Sequence, residues 1–180
     1  MTDPPEETVG ERPLKRDPAL VLLSRDHHFA LMHALALRRV SEAGTRWAAT
    51  GPVATAEAFL TFYEEELLGH MGDEEEALLP AVEAVDPDNV SRLRREHDEL
   101  AEQVALLRQA LEDGTELRSL MSEIGQMLHD HVRFEERVFF ESIQSRLGTE
   151  ELQRIGDAIE GHRKARGRGE GCALPRRARR

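Results

Sequence analysis

The histidines and glutamates of this chain follow a pattern that occurs twice. The segment LSRDH, which ends at His27, recurs as LRREH, which ends at His97. The segment H-x-x-x-E-E that begins at His70 recurs beginning at His131. Residues four apart lie on one face of an α-helix, so the His of each second segment shares a face with the first Glu after it. Four helices that each turn one His inward, two of them adding a Glu, can enclose a pair of metal ions.

The spacing of apolar residues predicts an all-α fold. Aromatic residues make up 4% of the chain, and Gly and Pro are sparse between about residues 18 and 147. Apolar residues recur at spacings of three and four, the period of a helix with one buried face. The predicted helices cover about residues 18–43, 53–85, 89–111 and 116–147, with a short fifth helix over about 149–160. Short connections favour an up-down-up-down antiparallel four-helix bundle.

The same period predicts helix starts and buried faces. Asp17 precedes Pro18, a combination typical of a helix N-cap followed by proline in the first turn. Ala77 lies on the expected buried stripe of the second helix and Val138 on that of the fourth. We expect the chain to have three parts. These are a flexible N-terminus over residues 1–17, a bundle domain over 18–160 and a disordered basic tail over 161–180.

Charge and cysteine content exclude several classes of protein. The formal net charge is −11 and is concentrated before the basic C-terminal tail, so nucleic acid is disfavoured as a partner. Cys172 is the only cysteine, which excludes an internal disulfide framework and fits a reducing compartment. The sequence has no apolar run of membrane-spanning length and no segment typical of a signal peptide. We therefore expect a cytoplasmic protein with no membrane partner.

Six residues of the repeat are candidate metal ligands. Imidazole and carboxylate donors together suit iron better than magnesium or calcium, which prefer oxygen ligands alone. A Glu on each of two facing helices can bridge two ions, while four His serve as terminal ligands, two to each ion. Glu75 and Glu136 lie one residue off this face, and we expect them to support the ligands or to be solvated. The predicted ligand set is His27, His70, Glu74, His97, His131 and Glu135.

Each piece of the pattern also has an interpretation without metal. A single H-x-x-x-E on an acidic helix is usually an exposed ion pair, and a single inward His is usually hydrogen-bonded within a bundle. The complete set favours metal, because burying so many polar groups without an ion leaves several unpaired, at roughly a few kcal/mol each. His27 is favoured over its neighbour His28. The remaining histidines are expected to face solvent: His33, His129 and His162.

At these residues the chain resembles the hemerythrin-like HHE cation-binding family. The resemblance extends over about residues 20–147, and its ligand pattern is closest to that of actinobacterial hemerythrin-like proteins. Members are four-helix bundles that hold two iron ions in an oxo- or hydroxo-bridged non-heme di-iron centre, which implies that Glu74 and Glu135 bridge the irons. Oxygen-carrying hemerythrin has a second His four residues after the His of its third helix. Here Ala101 stands four residues after His97.

The missing fifth histidine leaves room for another ligand. Four His, two bridging Glu and one bridging oxygen leave two positions of an octahedral iron pair open, and Tyr63 lies on the same stripe as His70. A resemblance to actinobacterial proteins in which a tyrosine oxygen binds iron favours Tyr63 as a ligand. The alternative is that Tyr63 packs as an ordinary aromatic residue with its hydroxyl hydrogen-bonded. A phenolate stabilises Fe(III), which favours peroxide or nitric oxide chemistry over oxygen transport.

The ligand set and the resemblance lead to three functional hypotheses. The first is a di-iron protein that decomposes or responds to small oxidants, with hydrogen peroxide favoured in a catalase-like reaction and nitric oxide second. The second is a non-catalytic protein that senses or stores oxygen or iron, so enzymatic activity is left open. The third, ranked last, is iron donation to damaged iron–sulfur clusters, because the related repair proteins add an N-terminal region with cysteine and the N-terminus here has none. Expected partners are small diatomic or peroxide ligands, and no feature names a reductant or a protein partner.

Overall fold

The computed structural model describes residues 15–40, 42 and 49–167, and nearly all of them are helical. The predicted all-α fold is confirmed. A 3₁₀ turn, Pro18–Leu20, leads into α1 (Val21–Arg39), and the Asp17 side chain accepts a hydrogen bond of 3.0 Å from the Ala19 backbone N–H, as expected of an N-cap. Most of the expected flexible N-terminus and most of the expected disordered tail, including Cys172, lie outside the described residues.

The second helix, α2, covers residues 52–82 and is interrupted twice by π-helical segments. Its α-helical parts are Pro52–Phe62, Leu68–Asp73 and Leu79–Val82, and its π-helical parts are Tyr63–Leu67 and Glu74–Leu78. The third helix, α3, covers Pro87–Asp113. It ends at Gly114, whose φ of 64° lies in the left-handed region that glycine adopts without strain.

The fourth helix, α4, covers residues 118–146 and contains one π-helical segment. Its parts are Arg118–Phe134, the π-helical Glu135–Phe139, and Phe140–Arg146. The fifth helix, α5, covers Thr149–Ala165, so it begins where expected and continues into the first residues of the expected disordered tail. Within the described ranges, none of the helices has both the length and the apolar character needed to cross a membrane.

The buried faces of α2 and α4 continue one residue later than predicted. The sequence predicted Ala77 and Val138 on the buried stripes, but Leu78 and Phe139 are fully buried instead, and Val138 is 47% exposed. Leu78 and Phe139 lie four residues after Glu74 and Glu135, whereas the prediction had used a spacing of three, and both spacings occur on one face of a helix. The residues between are π-helical, and a π turn contains more residues than an α turn, which favours the longer spacing.

Side-chain pairs show the direction of neighbouring helices. Between α1 and α4, and between α2 and α3, the residue numbers of the contacting side chains rise along one helix as they fall along the other, so these neighbours are antiparallel. The pairs between α1 and α4 are His27 with Glu136 and Arg38 with Gln126. The pairs between α2 and α3 are Glu64 with Arg108, Glu75 with His97 and Glu83 with Arg94.

The core consists of two apolar clusters with a layer of buried polar side chains between them. Along α1, Leu23 belongs to one cluster, Ala30 belongs to the other, and His27 lies between the two. The other three long helices are divided in the same way. The polar layer is therefore enclosed by apolar packing on both sides, which keeps its charges away from bulk water.

The helices α1 and α4 approach each other closely at Gly125. A Cβ atom added there would lie 2.7 Å from the carbonyl oxygen of Ala34 and 3.0 Å from the Cβ of Leu37. Only a residue without a side chain allows the two backbones this separation, and His27 then lies beside the middle of α4, which carries His131 and Glu135.

Candidate metal centre

Six buried side chains from four helices meet in the polar layer. Each is at most 5% exposed, and both glutamates are fully buried. The helix α1 contributes His27, α2 contributes His70 and Glu74, α3 contributes His97, and α4 contributes His131 and Glu135. The structure thus brings together six of the seven residues predicted as ligands.

The donor atoms form two groups that share both glutamates. The first position contains His27 and His70, the second position contains His97 and His131, and each also contains Glu74 and Glu135. Within each position, one donor atom from every residue lies within 4.8 Å of the others. This is the arrangement that two ions joined by two carboxylates require.

The Nε2 atoms of the four histidines face the shared carboxylates. The distances from Nε2 to the nearest carboxylate oxygen are 2.9 Å from His27 to Glu135, 3.4 Å from His70 to Glu74, 3.3 Å from His97 to Glu74 and 3.6 Å from His131 to Glu135. The Nε2 atoms of His27 and His70 are 3.2 Å apart. Four nitrogen donors and two carboxylates therefore converge on one small volume.

The opposite ring nitrogen, Nδ1, of each histidine contacts a further carboxylate. The pairs are His27 with Glu136 at 2.6 Å, His70 with Asp26 at 3.4 Å, His97 with Glu75 at 2.7 Å and His131 with Glu96 at 2.8 Å. An Nδ1–H that donates to a carboxylate leaves the Nε2 lone pair available for a metal ion.

Two of these supporting carboxylates were predicted and two were missed. Glu75 and Glu136 take the first of the two roles expected for them, because they hold ligand histidines. Asp26 and Glu96 were not predicted as partners of histidines. The sequence contained the signal, since an acidic residue directly precedes the histidine in both copies of the first segment.

Each contact in the first copy of the sequence repeat has an equivalent contact in the second copy. The contact between His27 and Glu136 becomes that between His97 and Glu75, and the four Nε2 contacts exchange in the same way. The repeated sequence pattern therefore corresponds to two helical hairpins, α1 with α2 and α3 with α4, that contribute equivalent halves of the centre.

The shared glutamates accept no hydrogen bond of good geometry. Histidine nitrogens lie 2.9–3.6 Å from their oxygens, but the two carboxylate oxygens of Glu74 and the two of Glu135 are buried without a hydrogen bond, as is Nε2 of His97. Buried carboxylates without hydrogen bonds are costly unless a cation neutralises them. The residues present therefore fit a pair of metal cations.

Comparison with protein families leads to the same kind of site. A family model described as the hemerythrin HHE cation-binding domain matches residues 20–143, which contain all six residues of the two positions. The chain belongs to this family. Comparison with curated proteins and with solved structures gives no match. The family predicted from the ligand pattern is confirmed, and its closeness to the actinobacterial hemerythrin-like proteins stays a prediction.

The charged groups of this hemerythrin-like centre shift one another's pKa values. Burial opposes a positive charge on His27, but the negative charges of Glu135 and Glu136 outweigh it and raise the pKa of His27 to about 10. Burial likewise opposes charge on Glu135, and the neighbouring histidines, His131 first, overcome it and hold its pKa far below the ordinary value. The carboxylates thus attract a proton to the His27 imidazole, and a metal ion would displace that proton.

Tyr63, the seventh predicted ligand, lies in the apolar cluster next to the polar layer. It is 5% exposed, begins the first π-helical segment of α2, and its ring centroid is 6.4 Å from that of Phe59. Burial raises the pKa of its phenol, and the charge of Arg108 on α3 opposes this rise. Ligation by Tyr63, like that by the other six residues, stays a prediction.

A small pocket adjoins the first position. Its apolar side is lined by residues that include Phe29, Phe62 and Leu67. His70 and its partner Asp26 also line it. The pocket therefore brings a mostly apolar surface into contact with a candidate ligand.

Histidines outside the centre lie in varied surroundings. His28 is exposed, in agreement with the preference for His27. His33 and His129 were predicted to face solvent, but both are partly buried. The His33 ring stacks on Phe62 with 4.3 Å between ring centroids, a contact that the helical period did not reveal.

The helix α5 has several contacts with the bundle. His162, predicted to face solvent, has Nδ1 at 2.8 Å from Asp73 and Nε2 at 2.8 Å from Glu76. Arg163 and Arg16, both in segments expected to be disordered or flexible, are largely buried against carboxylates. Sequence reasoning missed both arginines, because they lie outside the repeat.

Proposed function

We propose that this hemerythrin-like chain is a non-heme di-iron protein that decomposes or responds to small oxidants, with hydrogen peroxide favoured and nitric oxide second. The observation that carries the proposal is the pair of four-residue groups that share Glu74 and Glu135. Mixed imidazole and carboxylate donors suit iron, and two bound iron ions would supply the redox cycling and open coordination positions that peroxide decomposition needs.

The number of ligands supports oxidant chemistry over reversible oxygen carriage. On α3 only His97 faces the centre, because the next inward residue is the buried Leu100, whereas Ala101 is exposed. The described part of α3 therefore adds no second histidine to the second position. The four histidines, two glutamates and a bridging oxygen would leave two positions of the iron pair open, so one would remain for a small ligand when Tyr63 fills the other.

The pocket beside His70 supports a small, uncharged substrate. Its small size and its apolar residues disfavour large or strongly charged molecules. Hydrogen peroxide, nitric oxide and dioxygen all meet these limits. Asp26 and Arg163 form an ion pair of 2.6 Å near its His70 side, which would hold that histidine as a substrate approaches.

The proposal is tested by loading the full chain with iron under anaerobic conditions and measuring oxygen release from hydrogen peroxide and consumption of nitric oxide. We expect two iron atoms per chain and oxygen release. Glu74→Ala is expected to lose both iron and turnover, while Glu64→Ala, an exposed change on the same helix, retains them. Two bound irons without turnover would favour sensing or storage of oxygen or iron instead.

A further inference from the structure

Each carboxylate that contacts Nδ1 of one of the four histidines of the centre is itself contacted by an arginine. The nitrogen-to-oxygen distances are 2.6 Å from Arg16 to Glu136, 2.6 Å from Arg163 to Asp26, 2.5 Å from Arg92 to Glu96 and 3.5 Å from Arg94 to Glu75. Four chains of histidine, carboxylate and arginine therefore surround the centre, two for each metal position.

The arginines of the two positions differ in origin and burial. Arg92 and Arg94, which serve the second position, lie on α3 with side chains 43% and 38% exposed. Arg16 and Arg163, which serve the first position, are 9% and 4% exposed. Arg16 precedes α1 and Arg163 lies on α5, so both come from outside the repeated helices. The symmetry of the centre is therefore broken at the arginines.

The two buried arginines are fixed by several contacts each. Arg163 lies 2.6 Å from Asp26 and 2.8 Å from Asp73, so one guanidinium joins α5 to both α1 and α2. Arg16 donates to the Glu136 side chain at 2.6 Å and to the Glu136 carbonyl at 2.7 Å. Its guanidinium also lies 4.9 Å from the centre of the Phe140 ring.

The exposed arginines hold their carboxylates from the surface. Arg92 lies 2.5 Å from Glu96 and 3.6 Å from the centre of the Phe134 ring, but its side chain is 43% exposed. Arg94 is closer to Glu83, at 2.6 Å, than to Glu75. Ion pairs at the surface are screened by water and salt and contribute little, whereas a buried guanidinium with several partners holds a carboxylate in one orientation. Carboxylates that orient histidine ligands are in turn important for metal retention.

We propose that Arg16 and Arg163 are positioning residues that make the first position retain its metal ion longer than the second. The proposal rests on the di-iron function proposed above. The buried arginines fix Glu136 and Asp26, and these carboxylates fix the rings of His27 and His70. The second position has the same ligands but lacks this buried support.

The test is release of ferric iron from the oxidised full chain to excess EDTA. We expect two phases of equal amplitude in the wild type, the slow phase being the ion of the first position. Arg163→Met and Arg16→Met are expected to accelerate the slow phase on the order of tenfold and to leave the fast phase little changed. The matched controls Arg92→Met and Arg94→Met are expected to leave the slow phase unchanged.

A spectroscopic measurement separates positioning from general loss of stability. The electron paramagnetic resonance spectrum of the single ferric ion left after the fast phase is expected to change in Arg16→Met and Arg163→Met and to stay the same in the controls. General destabilisation would accelerate both phases and leave this spectrum unaltered, which would overturn the proposal. Arg16→Met tests the first position through His27, and Arg163→Met tests it through His70. If one variant fails to fold, the other still decides the question.

Two further outcomes distinguish this proposal from the di-iron function. Two ions released in a single phase, or equal acceleration by all four variants, would overturn the inequivalence and leave the di-iron function standing. Fewer than two ions in an iron-replete wild type would overturn the di-iron function, and the inequivalence with it.

Discussion

At the scale of single residues, neighbouring glutamates have different roles because they lie on different faces of one helix. Glu74 is fully buried and its oxygens accept no hydrogen bond, whereas the side chain of Glu75 is 35% exposed and holds His97 through Nδ1. Glu135 and Glu136 differ in the same way, since Glu136 holds His27. The first glutamate of each pair is thus a candidate bridge, and the second supports a terminal ligand.

This division predicts a graded loss of metal. Glu74→Ala and Glu135→Ala each remove a carboxylate that both positions share, so we expect them to lose most bound iron. Glu75→Ala and Glu136→Ala remove a support, and we expect affinity to fall about 10- to 100-fold with two ions still bound at saturating iron. Elemental analysis at limiting and saturating iron makes the measurement. Equal loss in all four variants would contradict the assignment of faces.

Tyr63 provides a second prediction at this scale. We expect the oxidised, iron-loaded protein to show a visible charge-transfer band from a tyrosinate ligand, which Tyr63→Phe abolishes while both iron atoms remain bound by His and Glu. Burial raises the pKa of this phenol, so the metal ion must displace its proton. Phe59→Leu, a change in the same apolar cluster, is the control and should keep the band. An absent or unchanged band would make Tyr63 a packing residue.

At the scale of helices, the sequence pattern failed where α2 and α4 become π-helical. Two of the three π-helical segments of these helices begin at Glu74 and Glu135, the residues shared by both metal positions. Spacings of three and four located these glutamates correctly, but the next buried residues are Leu78 and Phe139, four residues later, and not the predicted Ala77 and Val138, three residues later. Both spacings lie on one face of a helix, so the periodic pattern alone does not choose between them, and packing against the other helices decides.

The close approach of α1 and α4 gives a prediction for an element. Gly125→Ala places a Cβ atom 2.7 Å from the carbonyl oxygen of Ala34, so the helices must separate, and we expect a loss of about 1–3 kcal/mol in the free energy of unfolding. Gly161→Ala is the matched control, since no atom lies within 4 Å of its added Cβ and α5 would gain up to about 1 kcal/mol. Urea unfolding of the metal-free protein measures both. Equal effects would show that the contact at Gly125 does not limit helix packing.

At the scale of the whole molecule, the sequence predicted what depends on local spacing and missed what depends on docking. The six residues of the two positions could be selected because their pattern repeats at helical spacing. The contacts of Arg16, His162 and Arg163 could not, because no local pattern indicates where a terminal segment packs. The end of α5 at Ala165 was missed for the same reason, since contacts with α1 and α2 extend the helix into a sequence of disordered composition.

The arrangement of the two hairpins has a consequence for how long the protein stays folded. Each hairpin supplies both histidines of one metal position, while Glu74 and Glu135 each reach the position of the opposite hairpin. Bound ions would therefore cross-link the hairpins, and the hairpins could separate only by breaking both links together. Because both hairpins must be in place before the site is complete, we expect iron to slow unfolding much more than it speeds refolding. Stopped-flow experiments in guanidinium chloride, with and without iron, measure the two rates. The lifetime of the protein against proteolysis would then depend on its metal content.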